Sequence, residues 1–243
     1  MPSRLLLPGT AQAALASLLH GIASARVIRV VNFHATPRYR QPEFRAQIAA
    51  FAALFEPITM ANLPAAIDGS WPHARPGLIP ALFEGFRDNL DVMLPILEEN
   101  GFTGWFFVPS AFPKVPADKQ RAFAAAHLLH LPARDEYPGQ RVALNWDELR
   151  TIGRRGHVVA CHTRTHNELR TDTPTSVLEE EIRLAKAEIE DELGQDVDVF
   201  CWLRGAELGV NPEADRLLRH VGFKYLFSNF KIQRLAQLDF VHF

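Results

Sequence analysis

The chain of 243 residues contains very little cysteine, and this limits the classes of protein to which it can belong. Its two cysteines, Cys161 and Cys201, each lie inside an apolar run typical of a buried strand. This placement argues against a disulfide framework, and buried free thiols are typical of a reducing compartment. We therefore predict a cytoplasmic protein without structural disulfide bonds.

The chain also lacks runs of like charge and long apolar stretches. Its formal net charge is -2 at pH 7, so neither a nucleic acid nor an anionic membrane surface is suggested as the main partner. No segment approaches the roughly 20 continuous apolar residues that a spanning helix needs. We expect no membrane span and a neutral substrate, either small or polymeric.

The N-terminal region, residues 1–25, has two interpretations. Residues 5–7 are leucines that follow Arg4, and residues 23–25 are small, as in a signal peptide for export. Pro8 interrupts that apolar stretch, and the apolar residues beyond it repeat at helical spacing. The second interpretation is therefore a helical extension of the mature fold.

Apolar runs with strand character alternate with amphipathic helices along the rest of the chain. The predicted strands cover residues 27–33, 57–60, 77–83, 103–108, 157–161, 197–203 and 225–228, and the predicted helices 42–55, 86–100, 117–129, 146–152, 177–193 and 212–221. An apolar fraction of 47% suffices for the core of one large domain over residues 1–243. The alternation predicts a parallel sheet, closed or nearly closed into a (β/α) barrel, with residues 109–144 as an insertion over its active-site face.

Two histidines four residues apart, His162 and His166, follow one of these predicted strands. If the chain turns helically after the strand, both imidazoles can point the same way, and convergent imidazoles suit a divalent metal such as zinc. Other residues also follow strands, on the face where barrel folds build active sites: His34, Glu84, Pro109-Ser110 and Trp202-Leu203-Arg204. We expect these side chains to share one cleft.

Several ordered motifs resemble the polysaccharide deacetylases with a NodB homology domain, carbohydrate esterase family 4. Val31-Asn32-Phe33-His34 resembles the opening strand of that family, and Leu82-Phe83-Glu84-Gly85-Phe86-Arg87-Asp88-Asn89-Leu90 resembles its acidic motif. Asn145-Trp146-Asp147-Glu148-Leu149 and His162-Thr163-Arg164-Thr165-His166 resemble the segment that carries its His-Thr-x-x-His motif. The resemblance implies a distorted (β/α) barrel and hydrolysis of an N- or O-acyl group on a carbohydrate.

The resemblance also implies a metal centre. The second aspartate of the family's acidic motif falls on Glu84, which with His162 and His166 would hold a divalent metal, commonly zinc. Three protein ligands leave an open position for water. The family's first aspartate, its general base, falls on Phe83, and a phenylalanine ring cannot accept a proton.

Other functional groups are less well defined by the sequence. The family's C-terminal histidine, a general acid, has His242 as its only candidate here. His34 is a candidate substrate contact or a packed strand-end residue. Trp202 is a candidate for stacking on a sugar or a core residue, and Arg204 is a candidate contact for an anionic group.

The altered acidic motif leaves three functions open. The first is a metal-dependent carbohydrate deacylase whose base is unknown. The second is a catalytically impaired pseudoenzyme that binds carbohydrate or a partner protein. The third is a related hydrolase that cleaves a carbon-nitrogen bond in a small non-acetyl substrate. Loss of a positioned general base costs about 10²- to 10⁴-fold in rate, which is why the second function is considered.

Overall fold

The structure is a computed structural model, and it describes residues 28–229 and 231–235. The predicted N-terminal extension over residues 1–25 and the candidate acid His242 lie outside these residues. Within the described part of the chain, no helix is long and apolar enough to cross a membrane.

In the part of the chain that the structure describes, eight strands form one sheet. They are β1 (Ile28–Phe33), β2 (Glu56–Pro57), β3 (Gly77–Phe83), β4 (Trp105–Val108), β5 (Val158–Cys161), β6 (Val199–Cys201), β7 (Tyr225–Phe227) and β8 (Ile232–Arg234). The order across the sheet is β1-β3-β4-β5-β6-β7-β8, and β2 also pairs with β3. All pairs are parallel except β7 with β8.

Helices connect most of these strands. The α-helices are α1 (Gln41–Leu54), α2 (Leu63–Asp68), α3 (Leu94–Glu99), α4 (Gln120–Ala126), α5 (Trp146–Arg154), α6 (Thr175–Leu178), α7 (Ala185–Leu193) and α8 (Pro212–His220). A π-helical segment, Asn89–Met93, leads into α3, and another, Glu179–Leu184, joins α6 to α7. Asn145 begins α5 with a capping box, in which its side chain and that of Glu148 each accept a backbone N–H from the other residue.

The predicted α/β fold, a distorted (β/α) barrel, is confirmed. The sheet is a curled half-barrel, in which β1 and β8 are not paired with each other among the described residues. The prediction of a wholly parallel sheet was wrong, because β8 runs antiparallel to β7. Sequence periodicity missed β8 and α2, both of which are short.

The two faces of the sheet are buried in different ways. Leu78 and Leu82 of β3 pack with residues of the covering helices, such as Ile48 and Leu149. Alternate residues face the inside of the half-barrel, whose core is rich in aromatic side chains: Phe83, Trp105, Phe107, Tyr225 and Phe227. Side chains along a strand alternate between the two faces of the sheet. Because the strands are parallel, their carboxyl ends lie at one edge of this aromatic interior.

Residues 109–144 contain α4, and no strand is described within them. Their apolar side chains form a separate small core that includes Phe112, Ala124, Leu129 and Val142, and Phe86 from the main fold joins it. Backbone pairing between Phe86 and Ala143 attaches the segment beside the end of β3. This packing holds the segment next to the carboxyl ends of the strands.

Candidate metal centre

A pocket of about 210 Å³ opens at the carboxyl ends of the strands. Its lining brings together residues from separate strand ends, as the sequence predicted: His34, Glu84, His162, His166, Trp202 and Arg204. Leu128 and His130 of the insertion also line it. The predicted shared cleft is therefore present for most of its residues, and residues 109–144 form part of its wall. Pro109 and Ser110 were wrongly included, because neither lines the pocket: Ser110 is buried and its hydroxyl donates to Glu188 at 2.6 Å.

Backbone strain concentrates at this pocket. Five non-glycine residues of the described chain have a positive φ: Glu84, Leu128, Thr163, His166 and Arg204. Four of them line the pocket, and Thr163 directly follows His162. Such conformations cost about 1–3 kcal/mol each and persist where the surroundings impose them, commonly at functional sites. The distribution of strain therefore marks this pocket independently of any motif.

The two histidines present the same nitrogen to the pocket. Nδ1 of His162 donates to the carbonyl oxygen of Cys201 at 3.0 Å, and Nδ1 of His166 donates to that of His127 at 2.8 Å. A carbonyl oxygen only accepts, so each Nδ1 carries the proton and each Nε2 keeps its lone pair. Metal-binding histidines are commonly oriented in this way by a partner on the other ring nitrogen.

Both imidazoles are held in the neutral form. Burial and, to a smaller extent, the neighbouring His166 lower the pKa of His162 to about 3. Burial also lowers the pKa of His166. The ring centroids are 5.1 Å apart, so two positive charges here would repel each other at close range. Neutral imidazole is the form that binds a metal ion.

The turn between the histidines is held by a buried carboxylate. Glu181, in the segment between α6 and α7, accepts the backbone N–H groups of Arg164 and Thr165, each at 2.8 Å. It also accepts the hydroxyl of Thr165. These bonds stabilise the positive-φ turn that brings His166 back beside His162. Sequence reasoning did not identify this role of Glu181.

Glu84 is 1% exposed and lies at the base of the pocket. Its Oε1 accepts from Nδ1 of His34 at 2.9 Å, and its Oε2 accepts the backbone N–H of His130 at 3.0 Å. Oε1 also lies 3.9 Å from Nε2 of His166. The carboxylate is therefore buried with partners on both oxygens and faces one of the predicted ligands.

These donors fit a divalent ion by type and by orientation. Two ligand atoms on one tetrahedral zinc lie about 3.4 Å apart, given bonds of about 2.1 Å, so the 3.9 Å between Glu84 and His166 exceeds that spacing by about 0.5 Å. Across residues 28–229 and 231–235, however, no group of three or more such side chains is already arranged to hold a metal. The donor types suit a divalent ion, but these side chains would have to move for all three to bind one ion.

Phe83 is the residue to which the sequence resemblance assigned the position of the base. Its ring is 7% exposed, stacks on Phe107 at 4.9 Å and on His34 at 5.4 Å, and meets the edge of His162 at 5.1 Å between centroids. The side chain thus lies against a predicted metal ligand and contributes only apolar surface there.

The predicted substrate contacts have different environments. His34 is half-exposed in the pocket, with one ring nitrogen engaged by Glu84. Arg204 lines the pocket, and no ion pair is formed by it within the described residues. Trp202 is 3% exposed, and its indole N–H is buried without a hydrogen-bond partner among the described residues. So little exposed ring surface argues against the stacking role considered for Trp202.

Besides Glu181, further residues at the site were not identified from the sequence. Leu128 and His130 come from residues 109–144, where two histidines in a strand-free segment, His127 and His130, were the available signal. Asn89 donates to the carbonyl oxygen of His34 at 2.7 Å and so ties the end of β1 to the acidic motif. Although the sequence predicted this segment over the active-site face, it did not show which of its residues contact the predicted ligands.

Comparison with known proteins identifies the family of this chain. Residues 83–226 match the family model for polysaccharide deacetylase. The match covers more than half of the chain, so the protein belongs to the polysaccharide deacetylase family, whose carbohydrate deacetylases hydrolyse amide bonds. No curated protein sequence matches the chain significantly.

Solved structures share the fold at low sequence identity. IcaB from Ammonifex degensii is 16% identical with a TM-score of 0.62, covering 84% of each chain. A Streptococcus pyogenes deacetylase, PplD, solved with acetate, is 12% identical with a TM-score of 0.59, covering 81% of this chain and 79% of its own. A de-N-acetylase from Aggregatibacter actinomycetemcomitans is 14% identical with a TM-score of 0.60, covering 86% and 89%. At these identities the likeness shows the fold alone.

Proposed function

We propose that the protein is a metal-dependent hydrolase that removes an N- or O-acyl group from a carbohydrate. Glu84, His162 and His166 would hold the ion, which we propose to be zinc. One observation carries this proposal: both histidines donate Nδ1–H to backbone carbonyls, leaving Nε2 unprotonated in the pocket that Glu84 lines. This is the orientation of metal-binding histidines.

The surrounding residues suit this reaction. Burial keeps His162 and His166 neutral, so both can bind without first losing a proton. A bound zinc would supply a Lewis acid for the acyl carbonyl and would lower the pKa of a bound water. His34 and Arg204, on the pocket wall, are placed to contact the hydroxyl or acyl oxygens of a sugar.

Metal content and deacetylation, measured together, test the proposal. Wild-type protein should bind zinc and release acetate from N-acetylated chito-oligosaccharides. His162→Ala should lose both properties, because it removes a predicted ligand. His73→Ala, which changes a histidine outside the pocket, should keep both. Turnover that is unaffected by His162→Ala would refute the metal mechanism.

A second function is favoured by the Phe83 ring. With no carboxylate at that position, the protein could bind a metal ion and a carbohydrate without turnover. Zinc bound by wild-type protein, together with sugar binding but no acetate release from any acetylated sugar, would support this pseudoenzyme. Release of acetate would exclude it.

We also propose a cytoplasmic location. Both cysteines are free and buried, which supports a reducing compartment. The alternative is export directed by residues 1–25. Fractionation of cells that express the full chain with a C-terminal tag would distinguish the two, because export would place the tag outside the cytoplasm on a shortened chain.

A further inference from the structure

A four-residue piece of the insertion, residues 127–130, contacts two of the proposed ligands through its backbone. The carbonyl oxygen of His127 accepts from Nδ1 of His166 at 2.8 Å. The backbone N–H of His130 donates to Oε2 of Glu84 at 3.0 Å. One short segment therefore orients an imidazole and a carboxylate that come from different strands.

Leu128 lies between these two contacts and has a left-handed backbone, with φ of 57°. Its side chain is 50% exposed, so packing of the side chain does not account for the conformation. A leucine in this conformation is unfavourable relative to the right-handed helical region. The conformation must be imposed by contacts on either side of Leu128.

The contacts on either side come from the core of the insertion. His127 still donates to the carbonyl oxygen of Phe123 at 3.0 Å, as the last turn of α4. Leu129 donates to that of Ala124 at 2.9 Å, and its side chain is buried in the separate small core. The left-handed turn at Leu128 ends the helix and lets Leu129 pack inward, while the carbonyl oxygen of His127 reaches His166 and His130 reaches the pocket.

We propose that Leu128 is a positioning residue, whose left-handed backbone holds the insertion against His166 and Glu84 as the outer shell of the metal centre. The inference rests on the proposed function, since it takes these two residues as ligands. Partners that orient metal ligands typically change metal affinity by about 10- to 100-fold when they are lost. The backbone at Leu128 should therefore influence metal affinity through the hydrogen bonds of its neighbours, His127 and His130.

Two substitutions separate the backbone of Leu128 from its side chain. Leu128→Val and Leu128→Gly both shorten an exposed side chain. Valine strongly disfavours the left-handed region, because it is β-branched, whereas glycine adopts that region freely. Zn²⁺ affinity is measured by competition with a chromophoric chelator. We expect Leu128→Val to bind at least about 10-fold more weakly than wild type and Leu128→Gly to stay close to wild type.

Nitrogen-15 NMR of the histidine rings gives a readout that does not depend on metal. In metal-free wild type, His166 should be the Nδ1–H tautomer, since that proton is donated to His127. Leu128→Val should mix the tautomers of His166 and leave His162 unchanged, because Cys201 orients His162. Slow hydrogen exchange at the amide of His130 in wild type, where it donates to Glu84, checks the segment without any substitution.

The results separate this inference from the proposed function. Equal zinc affinities and equal His166 tautomers in all three proteins would overturn the role of Leu128, as would rapid exchange at the His130 amide in wild type. If wild type binds no zinc but Leu128→Val alone changes the His166 tautomer, the metal centre is wrong and the positioning role stands. Weaker zinc binding in Leu128→Gly than in Leu128→Val would also overturn the inference, because it would assign the effect to the side chain.

Discussion

Replacing Phe83 by aspartate tests whether the site lacks only its base. The ring lies 5.1 Å from that of His162 and 5.4 Å from that of His34, so a carboxylate in its place would stand beside the proposed metal ligands. A positioned general base contributes about 10²- to 10⁴-fold in rate. If the remaining groups are competent, Phe83→Asp should raise deacetylation by an amount within that range.

The substitution also has a cost in stability. Phe83 is 7% exposed and stacks on Phe107 at 4.9 Å, and removing a buried phenylalanine side chain costs about 3–5 kcal/mol. Most domains are stable by about 5–15 kcal/mol, so the variant should fold but melt at a lower temperature. Assays should therefore be run well below its melting temperature.

Phe83→Asn is the matched control, because it has the same shape as aspartate but cannot accept the proton from water. Both variants lose the ring, so the difference between their rates isolates the base. The assay is acetate release from acetylated chito-oligosaccharide with zinc added. Equal rates for the folded aspartate and asparagine variants would refute the reasoning and would show that the pocket differs from an active one in more than Phe83.

Three further predictions concern stability and reactivity. Burial raises the pKa of Asp88 from 3.8 to about 7, so between these values the folded state holds a proton that the unfolded state has lost. The free energy of unfolding should therefore fall as pH rises from about 4 to about 7, and Asp88→Asn should remove this dependence in denaturant titrations across pH. An unchanged pH profile in the variant would show that Asp88 is not the group responsible. Burial raises the pKa of the Cys161 thiol to about 12 and also raises that of Cys201. Native protein should therefore react with iodoacetamide only after unfolding. Rapid modification of the native protein, observed by mass spectrometry, would contradict the buried placement of these cysteines. A Cβ atom at Gly77 would lie 2.3 Å from Cδ1 of Ile58, whereas one at Gly153 would meet nothing closer than 3.8 Å. Gly77→Ala should therefore lower the free energy of unfolding by about 1–3 kcal/mol, and Gly153→Ala should not. Equal midpoints of denaturant unfolding for the two variants would refute the clash at Gly77.

The sequence predicted most of the fold because its signals are local. β3 and β4 are continuous apolar runs bounded by polar or glycine residues, and α5 begins with a capping asparagine. Curvature of the sheet is not local, because it depends on how all the strands twist and pack together. For that reason periodicity could not show that the barrel stays half open or that β8 runs antiparallel.

The candidate site was also predicted only in part. His162, His166 and Glu84 follow strands, and parallel strands end at one edge of a sheet, so their gathering in one pocket followed from the sequence pattern. The hydrogen bond from His166 to the carbonyl of His127 spans 39 residues, and the bond from His130 to Glu84 spans 46. Backbone groups carry no sequence signal, so these partners could not be predicted.

By itself, therefore, the sequence determined the kind of chemistry this protein can support: two histidines and a glutamate at strand ends, and a phenylalanine where the base is expected. The tertiary structure alone decided how those groups are held. It showed that backbone carbonyls orient both imidazoles, that burial keeps them neutral, and that the insertion contacts His166 and Glu84 directly. The sequence contains the residue types and their spacing. The direction in which an imidazole lone pair points, and the dielectric environment around it, depend on contacts between distant segments and arise only when the chain folds.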